Sequence, residues 1–419
     1  MNTTSENCDV LVIGSGMSGM AATFFAIERG LNTIQIGQSS PLQFYSGFFD
    51  VMAVHPIKDK KTWDNPWDGI TQLCKDIPEH PYALLTKDQI LQAFGLWFEL
   101  LKQLKMPYSY MTNQNIPAIT PIGTSKLTHA VPQAMWTGIS AMLNHQKALV
   151  VDIDGLKGFS GQQIKENLHD QWPELETIRI TFPKASGETY ANHMTSAIES
   201  PDIHKQLINA IIPHAHRVQC IGFPAILGSY HHQDLCKNIE SLLGKPVFEI
   251  PTLPPCMPGI RLRNALTHEL AQKGGTLYQT TIHNVEPDGK YGFIAHTANH
   301  KIYAKNIVLA AGRFMGKGLN ATRTSIKENL FNLPVVQPES RRQWHHKQFF
   351  HQQGHDIHQA GICVDQSFRP INEKGKIVYD HLFAAGSILA KNDWMRHKCG
   401  AGVAVASAFG AVHHIQDNQ

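Results

Sequence analysis

A glycine-rich turn near the start of the chain has the residue types and the spacing that bind a phosphate group. The turn follows an apolar run and reads Gly14-Ser15-Gly16-Met17-Ser18-Gly19. In such a turn the first glycine permits a tight bend, the second lets a phosphate approach the backbone, and the third lets the next helix pack closely on the sheet. The helix N-terminus then presents free N–H groups to the anion. These six residues are therefore predicted to bind a nucleotide or flavin cofactor.

Small residues recur at four later places where a flavin fold would approach the rest of the cofactor. Backbone amides at a helix start that lacks bulky side chains can come close to a planar ring and stabilise negative charge on it. Tight helix–sheet packing, or a generic loop around Ser46, is the alternative interpretation. These further candidate cofactor contacts are Ser46, Gly47, Ala311, Gly312, Gly386, Ser387, Gly400 and Gly402.

A carboxylate expected in a dinucleotide site is missing. Asp or Glu usually stands at the end of the second strand, where it binds the adenosine ribose. Here that end reads Ile36-Gly37-Gln38-Ser39-Ser40. Gln38 or a serine hydroxyl would be a weaker substitute. The sequence therefore leaves both a mononucleotide flavin (FMN) and FAD open.

The elements around the turn predict how it is held. Residues 8–13 read as a buried strand, residues 20–29 as a helix closed by Gly30, and residues 32–36 as a second strand. This order is the first βαβ unit of a dinucleotide-binding fold with a parallel sheet. A short strand is predicted at 301–304, and apolar runs at 306–312 and 382–387 predict further strands that return to the same sheet.

A chain of 419 residues is too long for one hydrophobic core, so two domains are expected. We predict an α/β protein with a discontinuous, Rossmann-like flavoprotein domain at residues 1–50 and 260–419. An inserted α/β cap or substrate domain is predicted at 51–259. Its strand-like runs include residues 148–153 and 217–222.

Composition argues against several other functions. The net charge is only +3 and the basic residues are scattered, which disfavours a nucleic-acid partner. The seven cysteines form no CxxC pair, so neither a disulfide framework nor an iron–sulfur cluster is expected. Histidines are abundant, but adjacent pairs such as His345-His346 point in different directions on a helix, and no metal is predicted. No apolar run is long enough to span a bilayer.

A proline-rich element carries a family resemblance. Pro251-Thr252-Leu253-Pro254-Pro255, followed by Pro258-Gly259-Ile260-Arg261-Leu262, resembles the central signature of the B-subunit family of anaerobic glycerol-3-phosphate dehydrogenases. The segments that agree in the same order lie at 80–85, 120–124, 382–387 and 399–403. The similarity runs essentially from end to end.

The resemblance implies one subunit of a three-part assembly. That family oxidises sn-glycerol 3-phosphate to dihydroxyacetone phosphate and passes electrons towards the quinone pool, with fumarate or nitrate as final acceptor. Its B subunit is assigned FMN, its A subunit carries FAD, and an iron–sulfur C subunit attaches the complex to the membrane. This chain is then expected to lie peripherally on the cytoplasmic face of the inner membrane, with membrane contact only through its partner. The missing ribose carboxylate suits FMN.

A dianionic substrate phosphate needs cationic partners, for which arginine is best suited. Arg261 and Arg263, beside the proline signature, are the first candidates, Arg396 is the next, and His129 is a candidate proton acceptor. Two other functions stay open. The chain is alternatively an electron-relay and docking subunit that does not bind substrate, or a stand-alone FAD oxidoreductase with another substrate.

Overall fold

A computed structural model describes residues 4–38, 41–183, 187–229, 231–290 and 292–417. The chain divides into two compact units. The first unit comprises Met1–Pro41, Asp50–Leu100 and Ala265–Gln419, and the second comprises Leu42–Phe49 and Leu101–Asn264.

The first unit takes in residues 51–100, which the sequence analysis assigns to the inserted domain. Their aromatic side chains explain the difference. Trp97 is fully buried and lies edge-on to Phe24, with 6.4 Å between the ring centroids. The buried hydroxyl of Tyr82 packs so closely against Gly402 that a Cβ there would collide with it. These contacts join the segment to the core of the first unit.

Both units contain strands and helices. The strands are β1 (Thr4–Ile13), β2 (Thr33–Ile36), β3 (Tyr108–Tyr110), β4 (Ile116–Ile119), β5 (Ser125–Thr128), β6 (Ala130–Pro132), β7 (Ala148–Ile153), β8 (Leu175–Ile180), β9 (Cys220–Pro224), β10 (Val247–Ile250), β11 (Thr276–Tyr278), β12 (Asn284–Asp288), β13 (Gly292–His296), β14 (His300–Leu309), β15 (Leu319–Ala321), β16 (Ile326–Glu328) and β17 (Leu382–Ala384). The helices are α1 (Met17–Glu28), α2 (Pro66–Asp76), α3 (Lys87–Gln103), α4 (Gln133–Leu143), α5 (Gly161–Leu168), α6 (Ala191–Ile198), α7 (Pro201–Ala215), α8 (His232–Leu243), α9 (Met257–Gln272), α10 (Trp394–His397) and α11 (Gly400–Asp417).

The main sheet of the first unit has the order β11-β2-β1-β14-β13-β12, and β17 also pairs with β14. β1 runs parallel to both β2 and β14. Its second half, Val10–Ile13, is buried because helices cover both faces of such a sheet. The βαβ order β1-α1-β2 confirms the predicted dinucleotide-binding topology.

β14 is one strand where the sequence suggested two. Residues 301–304 pair antiparallel with β13, whereas residues 307–309 pair parallel with β17. The change of partner at Lys305 and Asn306 explains why the apolar pattern is interrupted there.

The second unit contains its own parallel sheet, with the order β10-β9-β7-β8. The fully buried rings of Trp172 and Phe248 pack in its core, with centroids 6.1 Å apart. Gly138 and Gly222 each leave room for the Phe248 ring, since a Cβ at either position would collide with it. The predicted α/β character of this region, including the strand at 148–153, is thus observed.

Within the described ranges, no helix is both long enough and apolar enough to cross a membrane.

Candidate functional site

Part-exposed residues line the carboxyl end of the main sheet, although the strands beneath them are buried. We call this set the glycine edge, and it consists of Gly14, Ser15, Gly16, Met17, Ala311, Gly312 and Ser387. Gly14 donates its N–H to the carbonyl oxygen of Ile36 at 2.8 Å and lies against the carbonyl of Ala310. A Cβ on Gly312 would lie 3.3 Å from the hydroxyl oxygen of Ser387. The ends of β1, β14 and β17 therefore meet where parallel α/β sheets bind ligands.

The N-terminus of α1 is available to an anion. Its N-cap residue, Gly16, makes no side-chain hydrogen bond to the first turn, and that turn has no acidic residue. A Cβ built on Gly16 meets only the ring of Pro41, at 3.2 and 3.5 Å. The first N–H groups of α1, at the positive end of its dipole, thus have no side-chain cap from Gly16. This geometry fits the phosphate of a flavin cofactor, as the sequence predicted for residues 14–17.

Four of the predicted cofactor contacts are tightly packed. Ser18, Gly19, Gly386 and Gly402 are buried. A Cβ on Gly19 would strike the carbonyl of Gly14, and one on Gly386 would strike the hydroxyl of Ser18. These residues bring α1 close to its neighbours and so shape the glycine edge. Their predicted contact with a cofactor stays a prediction, because the first N–H groups of α1 include those of Ser18 and Gly19.

Gly402 shows most clearly that tight packing prevails at the start of α11. Its N–H donates to the carbonyl oxygen of Asp50 at 2.8 Å. A Cβ there would collide with the hydroxyl of Tyr82. The amide of Gly402 is therefore not available to a flavin ring, whereas Gly400, at the helix start, is part-exposed.

Ser46 and Gly47 belong to the second unit. Gly47 has a positive φ of 96° and is buried against Pro132 and Pro258. The Ser46 hydroxyl lies 3.5 Å from the N–H of Phe48. Their predicted contact with a cofactor stays a prediction.

At the end of β2, the side-chain oxygen of Gln38 accepts a hydrogen bond of 3.0 Å from the hydroxyl of Thr281. That oxygen is the group that would replace a ribose-binding carboxylate. Ser39 and Ser40, the other candidates, lie outside the described residues.

Arg261 is bound within the second unit. Its guanidinium donates to both carboxylate oxygens of Glu249, at 2.6 and 2.9 Å, and to the carbonyl oxygen of Gly228 at 2.7 Å. Both side chains are almost completely buried. The structure thus assigns the Arg261 charge to Glu249, and the prediction that it holds a substrate phosphate does not fit this geometry.

Glu249 stays ionised in this pair. Burial alone would raise its pKa, but the charge of Arg261 and the hydrogen bonds to the carboxylate outweigh burial and hold the pKa below its ordinary value. The main-chain N–H of Leu227 donates one of these bonds, at 2.8 Å.

Arg263 and His129, the other two predicted catalytic residues in the second unit, differ in burial. Arg263 is half-buried, and its guanidinium contacts the side-chain oxygen of Asn264 at 3.0 and 3.2 Å. His129 is 3% exposed, and burial lowers its pKa to about 4. The imidazole is therefore neutral at pH 7. It is able to accept a proton, but such a low pKa makes it a weak base.

Arg396 lies in the first unit, in a cluster of charged groups. One guanidinium nitrogen donates to Nδ1 of His358 at 2.6 Å and lies 3.6 Å from the buried carboxylate of Asp393. Its side chain is one-quarter exposed. Among the predicted arginines, it is the one that combines a place in the first unit with access to solvent.

The sequence analysis missed Arg313, which directly follows Gly312 of the glycine edge. Its guanidinium donates to the carbonyl oxygens of His358, Leu389 and Asn392. Burial lowers its pKa to about 10, so it remains charged. Arg313 therefore fixes the two loops beside the glycine edge. Its position immediately after Ala311-Gly312 was the available sequence signal.

Potential metal ligands meet at one place within the described residues. His80, His397 and Cys399 are buried, and one ligand atom from each lies within 4.8 Å of the others. Nδ1 of His80 accepts a hydrogen bond from the N–H of Tyr82, so Nε2 carries the proton in the neutral ring. A ligating nitrogen must be unprotonated. The absence of a metal stays a prediction.

An uncapped helix N-terminus at the carboxyl ends of parallel strands is the geometry of a dinucleotide-binding fold. Residues 9–403 match the FAD binding domain family, to which the chain belongs. Within that class, the chain is a member of the B-subunit family of anaerobic glycerol-3-phosphate dehydrogenases.

The family assignment follows from relatives matched along nearly the whole chain. The B subunit of the anaerobic glycerol-3-phosphate dehydrogenase of Aliivibrio fischeri is 30% identical over 98% of this chain and 95% of its own length. That of Vibrio cholerae serotype O1 is 30% identical over 97% and 96%. Among solved structures, 3-ketosteroid Δ1-dehydrogenase from Sterolibacterium denitrificans is similar over 99% of this chain and 100% of its own, with a TM-score of 0.44 and 13% identity.

Proposed function

We propose that this chain is the flavin-dependent subunit of an anaerobic glycerol-3-phosphate dehydrogenase. It would oxidise sn-glycerol 3-phosphate to dihydroxyacetone phosphate, with the electrons passing towards the quinone pool. The observation that carries the proposal is the uncapped N-terminus of α1 on the glycine edge, in a chain that belongs to the B-subunit family.

Different residues of the first unit would bind the cofactor and the substrate. The N–H groups at the start of α1 bind the cofactor phosphate, and Ala311, Gly312 and Ser387 allow the cofactor to lie close to the strand ends. When bound, the flavin supplies the two-electron acceptor for oxidation of the substrate alcohol. Arg396 is our candidate for the substrate phosphate, because its guanidinium is charged, part-exposed and oriented by Asp393 and His358.

FMN is the flavin that we propose. The chain has no carboxylate at the end of β2, and the side-chain oxygen of Gln38 is already bonded to Thr281. FAD is the alternative, and membership of the FAD binding domain family supports it. Release of the flavin followed by mass measurement distinguishes the two.

We also propose the assembly and location that the family implies. The chain would bind an FAD-containing A subunit and an iron–sulfur C subunit, and lie peripherally on the cytoplasmic face of the inner membrane. Relatives named as the B subunit of such an enzyme support the existence of partner subunits. Co-purification of the tagged chain from its own cells tests the partners.

Anaerobic titration of the purified, flavin-loaded chain tests the reaction. We expect sn-glycerol 3-phosphate to bleach the flavin absorbance with formation of dihydroxyacetone phosphate. Glycerol and the enantiomer sn-glycerol 1-phosphate are matched controls that should leave the flavin oxidised. A chain bleached equally by all three, or colourless and unable to take up FMN or FAD, contradicts the proposal.

An electron-relay and docking role is the second candidate. The Arg261–Glu249 pair favours it, since it removes one of the predicted substrate-binding residues. In that case sn-glycerol 3-phosphate leaves the isolated chain oxidised and reduces its flavin only after the A subunit is added. A substrate of another class that bleaches the chain alone would instead identify a stand-alone oxidoreductase.

A further inference from the structure

Two adjacent phenylalanines project from the surface of the first unit. Phe349 is 78% exposed and Phe350 is 89% exposed, the largest values for bulky apolar side chains among the described residues. We call residues 345–355 the aromatic loop. Such exposure is costly in water when no ligand or partner covers the rings.

The aromatic loop is held in shape by its own hydrogen bonds. The ring of His355 spans it: Nδ1 accepts from the N–H of His346 at 3.1 Å, and Nε2 donates to the carbonyl oxygen of Phe349 at 2.9 Å. His355 is itself buried, and the rings of His346 and His351 stack with centroids 3.8 Å apart. The two phenylalanine rings stand edge to face, 4.9 Å apart. Because the loop is already ordered, presenting these rings to a ligand has a small entropic cost.

The charges within residues 340–355 are all positive, and the exposed acidic residues Glu339 and Asp356 border this segment. Residues 340–355 contain Arg341, Arg342 and Lys347 and no aspartate or glutamate. All three cationic side chains are exposed. Gln348, Gln352 and Gln353, which are close to the phenylalanines in the sequence, are also polar and exposed.

In contrast to the expectation of membrane contact only through a partner, we propose that the aromatic loop itself binds an anionic lipid surface. Phe349 and Phe350 would insert among the acyl chains, with Arg342 and Lys347 at the phosphate level. Exposed aromatic rings with a cationic border are the arrangement of peripheral membrane contacts. A protein interface of standard size buries about 800 Å² on each partner, mostly around an apolar centre. Two projecting rings surrounded by glutamines and cations fit a bilayer better than such an interface.

Vesicle sedimentation tests the proposal with the full, flavin-loaded chain. We expect the parent chain to sediment with phosphatidylcholine vesicles containing about 30% phosphatidylglycerol, and less with pure phosphatidylcholine. The Phe349→Ser/Phe350→Ser variant should bind at least about tenfold more weakly. Met315→Ser is the matched control, because Met315 is also highly exposed, at 72%, and its loss should change binding less than about twofold. Retention of the flavin spectrum shows that each variant is folded.

A second variant tests the contribution of Arg342 and Lys347, the cationic residues near the phenylalanines. The Arg342→Gln/Lys347→Gln variant should bind anionic vesicles several-fold more weakly at low salt and show less dependence on added salt. Equal binding of the parent to anionic and neutral vesicles would overturn the role of these charges.

Insertion is measured with tryptophan as a depth probe. In the Phe350→Trp variant, lipids brominated on the acyl chains should quench the added fluorescence, whereas Met315→Trp should show no additional quenching. A parent chain that does not sediment with vesicles, or a serine double variant that binds like the parent, overturns the proposal. Self-association that depends on Phe349 and Phe350, without vesicle binding, would instead make the aromatic loop a contact between copies of the chain.

Discussion

Two parallel sheets in this chain end in opposite ways. In the first unit, the carboxyl ends of the strands carry the glycine edge, where the N-terminus of α1 has no side-chain cap. In the second unit, the corresponding region near the end of β10 is filled by the Glu249 carboxylate and its partner Arg261. The candidate ligand site thus lies at the sheet end where a helix N-terminus has no side-chain cap. At the other sheet end, an internal ion pair binds the charged groups to each other.

We expect the largest effect from a substitution that blocks the N-terminus of α1 on the glycine edge. Gly16→Asp should abolish flavin binding, because it places bulk and negative charge where the cofactor phosphate would lie. The fold should survive, since a Cβ at Gly16 meets only the Pro41 ring. Flavin content per chain measures the effect. Gly95→Asp, on an exposed helix position with open space, is the control. A Gly16→Asp protein that retains flavin at the parent level would remove the site assignment.

Removing the ion pair between Arg261 and Glu249 in the second unit should instead lower the free energy of unfolding. Arg261→Ala leaves Glu249 as an uncompensated buried charge, so we expect a loss of about 3–5 kcal/mol in the free energy of unfolding. Denaturant unfolding measures it. Arg179→Ala, which breaks an exposed pair with Asp154 in the same unit, should cost no more than about 1 kcal/mol. If Arg261→Ala is as stable as this control but no longer responds to substrate, the original phosphate-binding interpretation is restored.

His129 gives the second unit a predicted acid sensitivity. Its folded-state pKa of about 4 lies below the ordinary value of about 6.5, so the unfolded chain binds more protons between these values. Stability from this residue is therefore complete above about pH 6.5 and falls as the pH drops towards 4, by about 3 kcal/mol. His129→Gln should flatten this part of the pH profile. His169→Gln, at an exposed position, should leave the slope unchanged, and a His129→Gln profile parallel to the parent would contradict the prediction.

The smallest expected effect concerns the relative affinity of the chain for FMN and FAD. Gln38→Glu restores a carboxylate at the end of β2, which should raise the affinity for FAD roughly fivefold and leave that for FMN unchanged. Titration of the flavin-free protein with each cofactor measures both constants. Gln38→Ala is the control without the carboxylate. An unchanged FAD affinity in Gln38→Glu would show that no ribose reaches this position.

The sequence predicted the parts of the fold that depend on neighbouring residues. The strand, glycine turn and helix between Cys8 and Glu28 were found because apolar periodicity and the spacing of glycines are local signals. The part-exposed residues at 14–17 followed from the same motif. β14 was predicted as two strands. Its first part pairs with β13 and its last part with β17, and the only local sign of this change of partner is a polar interruption in the apolar pattern.

Residues whose role depends on a distant partner were not predictable. Glu249 precedes the proline signature and Arg261 lies within it, yet only the folded chain brings their charges together. Gly402 and Gly400 look alike in sequence, but only in the folded chain does the amide of Gly402 donate a hydrogen bond to the carbonyl oxygen of Asp50. Residues 51–100 had no local sign of their attachment, which depends on contacts such as that between Trp97 and Phe24.

The pairing of β1 with β14 has a consequence for biogenesis. Thr4 is aligned with His300 and Ile13 with Leu309, so the partners are about 300 residues apart along the chain. At 5–20 residues per second, the ribosome needs roughly 15 to 60 s to make the second strand after the first. Until then the nascent β1 lacks this neighbour and exposes an aggregation-prone apolar edge that chaperones recognise. We therefore expect the flavin to be acquired late, after most of the polypeptide has been translated.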